Sequence, residues 1–129
     1  RFNIHRAKRE GGVIIITESS FDAIRLFDAG FPNAVATLGG HLSDENISNL
    51  NKYASRIIIA TDADDAGRQL GKQIAYKLKN KEILWAKYDK DNIYPNGAKD
   101  LGDMSNKEII QCITNAIPHY EYASTLDWN

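Results

Sequence analysis

Six carboxylates stand at positions where they could act together: Glu18, the group Asp62, Asp64 and Asp65, and the later pair Asp100 and Asp103. Glu18 directly follows the apolar run Val13-Ile14-Ile15-Ile16-Thr17, and Asp62 and Asp64 follow Arg56-Ile57-Ile58-Ile59-Ala60. Taken singly, each has a plain reading. A polar residue after a strand is ordinary turn chemistry, and Asp62-Ala63-Asp64-Asp65-Ala66-Gly67 could be a turn into a helix whose N-terminal dipole favours carboxylates. Their recurrence at successive strand ends points further. Carboxylates gathered at one pole repel one another unless a cation sits among them. An oxygen-only donor set suits a hard divalent ion, Mg2+ or Mn2+.

Spacing tests the rival acidic motifs. An EF-hand loop counted from Asp62 wants Asp or Asn at its fifth position and Glu at its twelfth, which here are Ala66 and Gln73. A haloacid-dehalogenase-like phosphatase shares an Asp-x-Asp after a strand, but expects Thr or Val at Ala66 and has no use for a paired Glu18. Gly39-Gly40 is no dinucleotide fingerprint, and no Gly-Lys-Ser/Thr loop follows a strand.

The elements that must position these residues alternate. Strands are predicted at 13–17, 33–38, 56–60 and 83–86. The helices between them carry Phe21, Ala23, Ile24 and Phe27 inward, then Ile47, Leu50 and Ala54, then Leu70, Ile74, Ala75 and Leu78. Ser19 or Ser20, and Ser43, are their caps. After a polar loop at 89–102, Ser105 and Glu108 form a capping box opening a helix with Ile109, Ile110, Ile113 and Ile117, which Pro118 stops. Continuous apolar strands separated by helices imply an α/β fold, a parallel sheet with helices on both faces. In such sheets ligands bind beyond the carboxyl ends of the strands, where strand order reverses. A 2-1-3-4 order brings Glu18, Asp62 and Asp64 to that point, and the loop after strand four brings Asp100 and Asp103.

Composition sets the outer bounds. The chain has 129 residues, 43% hydrophobic and 26% charged, with 16 Lys and Arg against 17 Asp and Glu for a net charge of −1. That is one ordinary domain, and a neutral one where bulk electrostatic binding of nucleic acid would make it basic. The longest apolar run is strand-sized. A single cysteine, Cys112, fits a reducing compartment and reads as a packed thiol. Residues 1–10 carry a local charge of +3, without the features of a signal peptide, and look like the start of a fragment. His5, His41 and His119 show no ligand spacing; Trp85 reads as a strand residue facing the core. Tyr120, Tyr122 and Trp128 read first as tail packing and second as stacking platforms for bases.

Four segments in order carry a family resemblance: Thr17-Glu18-Ser19-Ser20-Phe21-Asp22-Ala23-Ile24, Ala36-Thr37-Leu38-Gly39-Gly40, Thr61-Asp62-Ala63-Asp64-Asp65-Ala66-Gly67-Arg68 and Lys99-Asp100. Over about residues 4–104 the chain resembles the Toprim domain of DnaG-type and phage-type DNA primases. The Asp-Ala-Gly-Arg ending favours the primase branch over type IA topoisomerases. The resemblance implies a Toprim fold, a compact Rossmann-like sheet of about four parallel strands. It implies a basic connector at 1–10, a catalytic domain at 11–118 and a C-terminal tail at 119–129. Glu18 matches the family's glutamate near the reacting phosphates, Asp62 and Asp64 its metal-coordinating pair, and Asp100 the first acidic residue of its later motif. Two departures stand out. Ser19 replaces the usual Gly, and Asp100-Leu101-Gly102-Asp103 is one residue longer than the cellular Asp-Pro-Asp, which leaves Asp103's role open.

The implied activity is metal-dependent nucleotidyl transfer, synthesising RNA primers on single-stranded DNA. A 3′-hydroxyl and a nucleoside triphosphate are both electron-rich, and carboxylates reach phosphate only through metal ions. Asp62 and Asp64 are the expected ligands of Mg2+ or Mn2+, Glu18 a ligand or proton acceptor, and Asp100 and Asp103 auxiliary ligands. Arg68 and Lys99 are candidates for phosphate contact or plain surface charges. Expected partners are a single-stranded DNA template, nucleoside triphosphates and a replicative helicase, with no membrane, in the cytoplasm of a bacterium or phage-infected cell. Such a fragment is expected to be weak or inactive alone. Two other readings are a Toprim-type nuclease or small stand-alone Toprim protein, and a non-catalytic nucleic-acid-binding module.

Overall fold

A computed structural model describes residues 12–37, 39–87 and 100–125, the last three by backbone alone. The expected connector at 1–10, Lys99 and Trp128 lie outside the described residues. In chain order the elements are β1 Val13–Thr17, α1 Ser20–Asp28, β2 Ala34–Ala36, α2 Asp44–Tyr53, β3 Arg56–Ile59, α3 Asp65–Lys77 and β4 Glu82–Trp85. A 3-10 turn at Leu101–Asp103, α4 Asn106–Thr114, β5 Ile117–Pro118 and α5 His119–Thr125 follow.

The sheet runs β2-β1-β3-β4-β5, parallel except for the antiparallel β5. Its first four strands follow the expected 2-1-3-4 order, and the reversal falls between β1 and β3. Ile16 pairs with Ile59 and Ile59 with Trp85, so the ends of β1, β3 and β4 lie level.

Alternation along the strands divides the core into two layers. Ile14, Ile16, Ile57 and Ile59 face the side covered by Leu50, Leu70, Ile74 and Leu78, whereas Ile15 and Ile58 face Leu26, Leu101, Met104, Ile109 and Ile113. Successive strand side chains point to opposite faces, so an uninterrupted isoleucine run serves both layers at once. Each fully buried isoleucine contributes about 1.5–3 kcal/mol of hydrophobic stabilisation. Cys112 is buried with its Sγ 3.8 Å from Met104 Sδ, and burial pushes its thiol up to about 11, as a packed thiol requires.

Two sequence expectations are revised. In α1 the residues turned inward are Asp22 and Leu26, whereas Phe21, Ile24 and Phe27 are 60%, 57% and 55% exposed. The helix is fixed in this rotation at its start by Ser19 and further along by Arg25, which donates to Met104 O at 2.9 Å and Asn106 Oδ1 at 3.0 Å. Second, α4 ends at Thr114 rather than running through Ile117. Ile117 and Pro118 instead pair with Trp85 and Leu84 as a fifth, edge strand, a position where proline's missing N–H does no harm. Tyr122, read first as a packing residue, does pack and belongs to the core. It is 1% exposed and stacked on Trp85 with centroids 3.9 Å apart. His119 Nδ1 accepts from Trp85 Nε1 at 2.9 Å, and burial lowers the imidazole's pKa, so it serves as a neutral acceptor.

Candidate functional site

Three threonines at the carboxyl ends of the first three strands shape the site. Thr17 Oγ1 donates to Ser19 O at 3.0 Å, Thr37 Oγ1 to Glu18 O at 3.1 Å, and Thr61 Oγ1 to Gly67 O at 2.7 Å. All three are at least 96% buried. Each hydroxyl donates to a backbone carbonyl of the turn or helix start beyond its strand, and so pins the segment that carries a carboxylate.

Glu18 and Asp62 meet across the strand reversal. Asp62 N–H donates to Glu18 Oε1 at 2.7 Å, a short charge-assisted bond that holds the loop after β1 to the loop after β3. Gly67 makes this approach possible. A Cβ there would overlap the Asp62 carbonyl oxygen and lie 2.7 Å from Glu18 Oε1. Asp64 caps α3, its Oδ1 accepting from Gly67 N–H at 2.7 Å. The plain reading of that turn as a helix start therefore holds for Asp64, and α3 begins at Asp65, three residues earlier than expected. Asp100 repeats the device, its Oδ1 accepting from Gly102 N–H at 2.9 Å at the head of the 3-10 turn.

The charges at this pole are felt most at Asp62. Its carboxyl is pushed up to about 7, first by burial and then by Glu18, Asp22, Asp100 and Asp64. Asp22, 3% exposed, rises to about 6. Burial is the largest cause there, Asp100 and Glu18 add to it, and Ser19 and the Gly102 backbone oppose it. The pole thus gathers Glu18, Asp22, Asp62, Asp64 and Asp100. Asp103 is exposed and is not among the charges that raise Asp62 or Asp22. Asp65 is also outside it, exposed and paired with Arg68 at 2.7 Å. The Arg68 guanidinium is half-buried and close enough to Tyr122 to act on its phenol.

Asp22 and the three threonines are the residues that sequence reasoning passed over. Asp22 sits four residues after Glu18, and a threonine ends each of three strand segments. That repetition was the available signal.

Among the described residues no three His, Cys, Asp or Glu side chains converge tightly enough to cage one ion. The donor set is nonetheless all oxygen and over-supplied with negative charge. Mg2+ in particular is commonly held by one or two carboxylates, several waters and substrate phosphates rather than by an all-protein cage. The residues present fit that mode of binding.

Comparisons with known proteins bear on the fold and the family. Residues 12–86 match the family model described as Toprim domain. The chain is 39% identical over 71 residues to a DNA primase of Aquifex aeolicus, covering 53% of this chain and 14% of the relative. It is 36% identical over 109 residues to a DNA primase of Helicobacter pylori, covering 82% of this chain and 18% of the relative. Among solved structures, the Aquifex aeolicus primase (zinc-binding and RNA polymerase domains) superposes with a TM-score of 0.73 at 27% identity, covering 92% of this chain and 29% of that one. The chain therefore spans less than a fifth of the length of these two curated relatives.

Proposed function

This chain belongs to the Toprim domain family, and on that premise we propose that it is the catalytic domain of a DNA primase, joining ribonucleotides on a single-stranded DNA template. The observation that carries the reading is the cluster at the strand reversal, where Asp62 N–H donates to Glu18 Oε1 at 2.7 Å and burial, then the charges of Glu18, Asp22, Asp100 and Asp64, push the Asp62 carboxyl up to about 7. Such a pole needs cations and suits phosphates only through them.

Asp62 and Asp64 would hold Mg2+ or Mn2+, with Glu18 as a further ligand or proton acceptor and Asp100 as an auxiliary one. Asp103 belongs at most to the outer edge of such a site. Bound divalent ions would neutralise triphosphate charge and lower the pKa of the primer hydroxyl. The chain's own residues supply the rest. Glu18 locks the Asp62 loop through its N–H, the threonines hold each turn, and Asp64 aligns α3. At about pH 7 Asp62 holds a proton part of the time, which it must release before it can serve as a ligand. Arg68, and Lys99 in the Lys99-Asp100 segment, are the proposed phosphate contacts. The domain boundaries 1–10, 11–118 and 119–129, a replicative helicase partner, nucleoside triphosphate substrates and a cytoplasmic site of action complete the reading. Among the described residues no helix is long and apolar enough to cross a membrane.

The test is primer synthesis by the complete protein on single-stranded DNA with ribonucleotides and Mg2+ or Mn2+. Displacing an outer-sphere group typically costs 10–100-fold, so loss of a ligand in Asp62→Ala or Asp64→Ala should cost more than about 100-fold. Retained synthesis in either variant would overturn the assignment, and metal-dependent cleavage in place of synthesis would establish the nuclease reading.

A further inference from the structure

At the opposite pole of the sheet the chemistry is reversed. A groove of about 810 Å3 runs between α3, the amino-terminal end of β4 and the start of α5. Lys72, Lys79 and Lys81 line it, and its one carboxylate, Glu82, is paired with Arg56 at 2.8 Å. Two tyrosines stand in it with unusual exposure, Tyr76 at 73% and Tyr120 at 78%. Lys79 Nζ lies 5.0 Å from the centroid of the Tyr76 ring, so charge and aromatic face share one spot. Lys81 is anchored at the rim by donating to Asn51 O. The floor between them is apolar.

We infer that this groove is a binding site for single-stranded nucleic acid, separate from the carboxylate pole. A sequence-tolerant single-strand site combines a positive track for phosphates with aromatic faces on which bases stack, and the groove supplies both. A base stacked on Tyr76 carries its flanking phosphate within reach of Lys79. The volume falls in the range of sites that enclose small ligands, which suits one or two nucleotides rather than a duplex. The groove opens at the amino-terminal end of β4, whereas the acidic cluster lies at the carboxyl ends of β1 and β3. Charge complementarity also separates the inference from the alternative occupant, a peptide. A purely apolar peptide leaves the lysines without a role, and an acidic peptide leaves the tyrosines without one.

The inference does not depend on the metal site. Its test is fluorescence anisotropy of a labelled twelve-residue oligothymidylate with the whole chain in EDTA, where metal-dependent binding is silent. Three phosphate contacts on a single strand give a slope of log K against log salt of about −2, a loss of roughly 20-fold between 50 and 200 mM. Tyr76→Ala with Tyr120→Ala should weaken binding about ten-fold or more, while the Phe pair retains it. Lys72→Ala with Lys79→Ala should flatten the slope to about −0.7. The Tyr76→Ala, Tyr120→Ala pair should leave Mn2+ binding at the carboxylate pole unchanged, which keeps failure of the groove distinct from failure of the primase assignment. No saturable binding, an unaltered affinity in the Tyr→Ala pair with melting curves intact, or equal competition by a polyglutamate peptide would overturn it.

Discussion

Asp62 carries the most consequential side chain in the chain, and its behaviour with pH has a definite sign. Its carboxyl sits near 7 in the folded protein against an ordinary 3.8, through burial first and then the charges of Glu18, Asp22, Asp100 and Asp64. Between those values the folded state holds a proton that the unfolded chain has released. Folding is therefore favoured at the lower end of the window, and stability is lost as pH rises towards 7. Asp22, raised to about 6, acts in the same direction. In EDTA the protein should melt at a lower temperature at about pH 8 than at about pH 5. Asp62→Asn should flatten that dependence and raise the melting point at the higher pH. Calorimetric scans at the two pH values check it; a wild-type protein more stable at pH 8 without metal would contradict the charge cluster. Glu18, Asp62, Asp64 and Asp100 were legible in the sequence because each follows an apolar run or a loop ending at the same edge. Asp22 was not, since a carboxylate inside a helix whose apolar residues suggest another inward face reads as solvent-facing.

The elements were legible to the extent that they obey simple periodicities. The isoleucine strands, Ser19, Ser43 and the Ser105–Glu108 capping box are as the sequence indicates. The rotation of α1 is not, because tertiary contacts of Asp22 and Arg25 override its hydrophobic stripe. The two faces should differ sharply on mutation. Leu26→Ala should cost about 2–5 kcal/mol, while Ile24→Ser, on the exposed side, should change stability by less than about 0.5 kcal/mol. Chemical denaturation measures both, and a large loss at Ile24 would show the stripe to be buried after all. β5 escaped sequence reading because Ile117 continues the helical spacing of α4 and the chain leaves the helix only at Asn115. Gly67 is the element-level hinge of the site. Gly67→Ala places a methyl against the Asp62 carbonyl and Glu18, and overpacking of this kind costs about 1–3 kcal/mol. It should also separate the Glu18 and Asp62 loops, seen as a weakened response of the melting point to added Mg2+.

At the scale of the molecule, the net charge of −1 resolves into two poles. Carboxylates collect where the strands end, and lysines and tyrosines line the groove near the start of β4. A neutral total conceals both, so composition says little about partners while the fold says where each charge goes. The sheet order brought the acidic residues of β1 and β3 together because adjacent parallel strands with reversed connections open a crevice at their carboxyl ends. The central claim is that this crevice is a divalent-metal site that works on phosphates. Isothermal titration of Mn2+ and Mg2+ into the chain at about pH 8 tests it most directly. The account predicts saturable binding that Asp62→Ala and Asp64→Ala both abolish while each variant still melts cooperatively. Unchanged metal binding in either folded variant would contradict it.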